Sequence, residues 1–166
     1  MVAHNDSRPP GMFQVAFDLP QESATWPPFS TERIWAKKTS APYQLEVQSV
    51  PFFVRDLSRG DIIRAKPDHE RRELVFDGLV RHSGHSTIRV ILRDKTDENR
   101  DRVLEMFRAA GSSWEFTSVD FHFAVDLPGE VDYRSLRSML VEATSTGAIE
   151  VEEAFVAPAH VAQLDA

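Results

Sequence analysis

The chain has 166 residues, 42% of them apolar and 11 of them Phe, enough to bury a core and to exclude disorder over the whole length. Its formal charge of -7 opposes non-specific binding to DNA or RNA, because Lys and Arg must first neutralise the phosphates. Cysteine is absent, which excludes disulfides, thiol nucleophiles and thiolate metal sites and leaves His, carboxylates, hydroxyls and Arg for any chemistry.

Met1 to Gly11 is polar, with no charged segment leading into an apolar run, so no secretory signal is visible. No window approaches the roughly 18 consecutive apolar residues of a membrane-spanning helix, and the cytoplasm is the expected location. Pro27 and Pro28 keep the stretch Pro20 to Thr31 out of helix. Residues 1–31 are therefore expected to form an extended arm, with Phe13 to Phe17 as a detached strand at most and Trp26 pinning the arm to the body.

Residues 32–84 read as a small antiparallel β-sheet or partial barrel. Its strands are Arg33 to Lys37, Tyr43 to Val47, Ile62 to Lys66 and Leu74 to Val80, separated by turns at Arg59-Gly60-Asp61 and Pro67-Asp68-His69-Glu70. Val50-Pro51-Phe52-Phe53-Val54 is too interrupted by Pro51 for a central strand and reads as a plug or an edge.

Residues 85–156 change rhythm to strand, helix, strand, strand, helix, strand. Ile88, Val90 and Leu92 alternate; Val103, Met106, Phe107 and Ala110 recur at helical spacing behind a Thr96 or Asp97 cap; Trp114 to Ser118 is the second strand. Val119, Phe121, Phe123 and Val125 alternate again, and Asp132 caps a helix carrying Tyr133, Leu136, Met139, Leu140 and Ala143. Ile149 to Val156 closes the sheet. The expected fold is thus α+β, a small β module followed by a ferredoxin-like βαββαβ unit with both helices on one face. Residues 157–166 read as a tail.

In that unit the face opposite the helices carries Arg89, Ile91 and Arg93 from one central strand and Asp120, His122, Ala124 and Asp126 from the other. Charge pairs across strands, with Glu150 and Glu152 joining, are the economical reading, and a face covered by a partner is compatible with it. Arg89, Arg93, Asp120 and His122 are the candidate binding residues. RNA recognition on this face would require open aromatics, whereas Phe121 and Phe123 are expected to point to the helices.

The cluster around Ser83-Gly84-His85-Ser86-Thr87 is the densest in reactive residue types. Zinc could use His82 and His85, with His122 or a carboxylate as third ligand, only if Gly84 kinks the strand, because residues three apart face opposite sides. His85-Ser86-Thr87-Ile88 has the His-x-Thr-hydrophobic form of 2H phosphoesterases, which need two such histidines as base and acid. The second candidate, His122-Phe123-Ala124-Val125, has Ala in place of the hydroxyl. A Ser83, His85, Asp77 triad can be drawn but lacks a nucleophile elbow. His85 and His122 are the catalytic candidates. No cofactor is expected, since the 7 glycines are dispersed and form no phosphate loop.

Taken together, Ile34-Trp35-Ala36, Pro51-Phe52-Phe53, Gly60-Asp61, Ser83-Gly84-His85-Ser86-Thr87-x-Arg89 and Gly111 resemble the bacterial domain of unknown function family 4265 over residues 32 to 156. The resemblance implies a bacterial cytoplasmic protein and supplies no activity. A non-enzymatic module that binds or regulates another protein or a small ligand is the expected function, with an immunity-like or ribonuclease-regulating role among its forms. The alternative is a His-dependent hydrolase or phosphoesterase using His82, His85 and His122, with or without a metal. Nucleic acid and membrane are not expected partners; a homodimer stays open.

Overall fold

The structure is a computed structural model that describes residues 10–166. Its first half is a closed five-stranded barrel, β1 Met12–Asp18, β2 Thr31–Lys38, β3 Gln44–Val47, β4 Ile62–Asp68 and β5 Glu73–Arg81. Neighbours run antiparallel from β1 to β5, and β1 returns parallel to β5 through Val15↔Leu74 and Ala16↔Val75. Val15, Phe17, Ile34, Ala36, Leu45, Val47 and Ile63 fill its interior, as alternation on half-buried strands requires.

The second half is a four-stranded sheet in the order β7-β8-β6-β9, built from β6 Ser86–Leu92, β7 Ser113–Phe116, β8 His122–Leu127 and β9 Ile149–Phe155. Helix α1 Asp97–Ala109 follows β6 and α2 Tyr133–Ser145 follows β8. Thr96 and Asp132 cap them, accepting from Asn99 N–H and Ser135 N–H. Val103, Phe107, Leu136 and Leu140 close one face of the sheet over Ile88, Val90, Phe123 and Val125.

Three boundaries differ from the sequence expectation. The extended arm is a barrel strand over Met12–Asp18, fully paired with β2, because Val15 and Phe17 belong to the barrel core; the arm's residues 1–9 lie outside the described residues. The tail is a helix, α3 Pro158–Asp165, docked by buried His160, whose ring stacks on Tyr133 at 5.2 Å. The alternation from Val119 to Val125 is half turn: β8 begins at His122, Asp120 is exposed, and Phe121 adopts φ +60° with its ring beneath the Lys95 ammonium.

The decisive feature is what covers the second sheet face. Residues 50–58 lie across it, with Val50, Pro51, Phe53, Leu57 and Ser58 buried. Barrel and sheet thus share an interface, fixed by Asp56 N–H donating to the Ala154 carbonyl and by Phe53 stacked on His122 at 5.6 Å. Trp26 also reaches this interface, edge-on to Phe53 and His122.

Candidate functional site

Polar side chains crowd the interface between barrel and sheet. Glu32 occupies an inward position of β2 alongside Ile34 and Ala36, and its carboxylate accepts from three consecutive amides: Phe52 at 2.6 Å, Phe53 at 2.8 Å and Val54 at 2.8 Å. That grip holds the plug onto the sheet. Arg89, only 3% exposed, donates to the Val54 carbonyl at 2.6 Å and faces Glu152 at 3.4 Å. Its Nε meets no acceptor among the described residues. Beside it, Ser58 and Thr87 hydroxyls meet at 2.8 Å, and Thr87 donates to the Leu57 carbonyl.

The two histidines around Gly84 are each tied to a different buried carboxylate. Gly84 has φ +93°, a left-handed conformation that turns the chain between barrel and sheet. On the barrel side, His82 Nδ1 lies 3.1 Å from Asp61, which also accepts from Ser58 and Ser83 amides, and its ring stacks on Phe155. On the sheet side, His85 Nδ1 lies 2.7 Å from Asp126, whose side chain is 4% exposed. An ionised carboxylate can only accept, so Nδ1 carries the proton and Nε2 the lone pair, on a side chain that is partly exposed. Burial pushes the Asp126 carboxyl up, and the His85 hydrogen bond opposes that rise.

His122 is elsewhere. It pairs with Ile91, six residues along from His85, roughly 20 Å at the strand repeat. It is 1% exposed, bonded to the Thr117 hydroxyl at 3.0 Å, and pushed down to about 4 by burial first and by Arg89 second. His122 is therefore neutral and structural, and the kink at Gly84 does not bring His85 toward it. The paired-histidine arrangement of a 2H phosphoesterase is not assembled. Asp77 is no triad member either, since it pairs with Lys66 and Arg64 while Asp126 takes His85. His82 and His85 share no carboxylate, and among the described residues no group of three metal-ligating side chains converges.

Of the candidate binding residues, Arg89 and His122 are buried in the interface. Arg93 is exposed and paired with Glu150 at 2.6 Å. Asp120 stands in the turn before β8, off the sheet face. Sequence reasoning missed Glu32, although a carboxylate at an inward position between apolar neighbours was a readable signal. It also missed His160, whose Nδ1 meets Ser86 at 2.6 Å and whose basicity burial lowers.

A cavity of about 540 Å³ sits on the barrel where β1 and β5 part, and neither His82 nor His85 lines it. Phe17 and Phe76 stack at 4.7 Å on its floor. One wall comes from Asp18 to Trp26 and from Phe53 to Arg55, the other from β4 and β5. Such a volume falls in the range of ligand pockets.

These features define a two-sheet α+β protein whose polar interface residues fasten barrel to sheet and which has an open cavity on the barrel. The chain belongs to the family described as Domain of unknown function (DUF4265), whose model matches residues 32–151. A crystal structure of a hypothetical protein from Neisseria gonorrhoeae is similar in fold, with TM-score 0.68 and 18% identity over 89% of this chain and 95% of that one. No curated protein matches. Among the described residues, no helix is long and apolar enough to cross a membrane.

Proposed function

We propose that this protein is a non-enzymatic bacterial binding module acting in the cytoplasm, and that its second half is a ferredoxin-like unit. The strand order β7-β8-β6-β9, with helices after β6 and β8, supports the fold reading. The acidic charge of -7 and the bacterial source of the structure similar in fold support the setting.

The observation that carries the functional reading is the division of labour between charges and cavity. Arg89, His122, Glu32 and Asp61 serve the barrel and sheet interface, whereas the cavity at the β1 and β5 parting is open and aromatic-floored. Affinity capture with the full chain, from the organism that makes it, tests this reading. A partner retained equally by wild type and His85→Ala supports it. Turnover of model ester or phosphodiester substrates that His85→Ala abolishes would sink it.

The hydrolase reading has one favourable observation, the pairing of a partly exposed His85 with buried Asp126. A general base needs that geometry. It lacks a partner acid, since His122 is remote and neutral.

A further inference from the structure

Strand β5 has nine residues, yet β1 pairs with it only at Leu74 and Val75. From Phe76 to Arg81 the strand has β4 on one side and, among the described residues, no strand on the other. Backbone groups on such an edge seek hydrogen-bond partners. The side chains there are also unusual. Phe76 and Leu79 lie opposite the core residues Ala65 and Ile63, and so belong to the inner face of the barrel. They remain 38% and 39% exposed, and Val80 is 41% exposed.

The other sheet edges lack this combination. β9 exposes no large apolar side chain and carries Glu150, Glu152 and Glu153, charges that discourage pairing. β7 is four residues long, and no described cavity adjoins it.

We propose that the parting of β1 and β5 is a peptide-binding slot, in which an extended segment of a partner protein adds as a strand along Phe76–Arg81 and seats an apolar side chain above Phe17 and Phe76. This rests on the binding-module reading and names its partner class. Strand addition of this kind draws affinity from the main chain and specificity from side-chain pockets. The slot supplies both, an unpaired edge and an adjoining cavity. At its closed end Arg71 bridges to Asp18 at 2.9 Å, beside the last β1 and β5 pair, so the incoming strand continues where β1 leaves off.

Geometry selects a single chain over a second barrel. The segments Asp18 to Trp26 and Phe53 to Arg55 wall the cavity opposite Val75 and Phe76, where the unpaired stretch of β5 begins. A second copy would have to bring β4 together with its own β5, a ribbon two strands wide at about 4.8 Å spacing, past that wall. Charge does not select a strongly acidic or basic anchor, because Arg55 and Arg71 are already paired with Glu22, Glu152 and Asp18, and Lys66 with Asp77. The anchor is therefore apolar.

The test uses random 12-residue peptides displayed against the full chain, with the best binder titrated into isotope-labelled protein. Amide shifts confined to residues 16–19, 54–55 and 76–81 are expected. N-methylation at alternate peptide positions is expected to weaken binding at least tenfold on one set and to leave the other unchanged. Leu79→Asp, whose site is already partly exposed, is expected to weaken binding at least tenfold with the remaining spectrum retained. Shifts at the β7 or β9 edge would overturn the slot while leaving a binding module standing. Indifference to N-methylation would overturn strand addition, and so would failure to select any binder. Concentration-dependent dimerisation abolished by Leu79→Asp would make a second copy the occupant and overturn the peptide. Catalytic turnover would instead sink the parent reading.

Discussion

Replacing Glu32 by Ala removes the acceptor for three amides at once, those of Phe52, Phe53 and Val54. A buried donor left without a partner costs about 1–3 kcal/mol. The Phe53 amide is buried and takes about 2 kcal/mol of this. The Phe52 and Val54 amides are part-buried and can recover water, so about 1 kcal/mol each is appropriate. The sum is about 4 kcal/mol, a fall in Tm of roughly 8–16 °C for a chain of this size. Glu32→Gln keeps one acceptor oxygen and should cost about half as much. Thermal and urea unfolding followed by two probes measure both variants, and coincident transitions justify the comparison. A loss under 2 °C for Glu32→Ala would refute the claim that this carboxylate holds the plug on the sheet.

The depressed basicity of His122 makes stability depend on pH in a stated direction. The folded value of about 4 lies below the ordinary 6.5, so between these limits the unfolded chain binds the extra proton and stability falls as pH drops. The full effect is about 3 kcal/mol, and His122→Phe should flatten the slope between pH 6.5 and 4 in urea melts. His85→Ala leaves Asp126 buried without its hydrogen bond and should cost about 1–3 kcal/mol by the same assay, with peptide binding unchanged. His160→Ala removes a fully buried ring bonded to Ser86 and stacked on Tyr133, and should cost on the order of 2–4 kcal/mol, with α3 amides losing hydrogen-exchange protection first.

Periodicity made much of the fold legible. The alternations in β2, β4 and β6 and the Thr96 and Asp132 caps are local signals, and each element formed where its pattern stands. The prolines at 27 and 28 point to a detached Phe13 to Phe17, whereas closure of the barrel depends on β2 and β5, partners farther along the chain. Alternation places Arg89 and His122 on the sheet face away from the helices, where both are buried, whereas the left-handed turn at Phe121 ends the alternation before Asp120.

The site was less legible for a physical reason. Which carboxylate each histidine meets is decided by tertiary pairing: Asp61 is 21 residues from His82 and Asp126 is 41 from His85. Spacing in the sequence therefore suggested one cluster where the fold makes two separate pairs. The slot left no motif at all, because it arises from what β1 fails to cover. Phe76, Leu79 and Val80 looked like ordinary strand residues, and only the early end of β1 at Asp18 exposes them.

The most direct test places a photo-crosslinking amino acid at position 79 in one strain and at position 85 in another, in the organism that makes the protein. A partner crosslinked from position 79 and not from position 85 is the result expected of a binding module that works through the β5 edge. A partner or substrate trapped from position 85 alone would contradict it and return the function to the histidines.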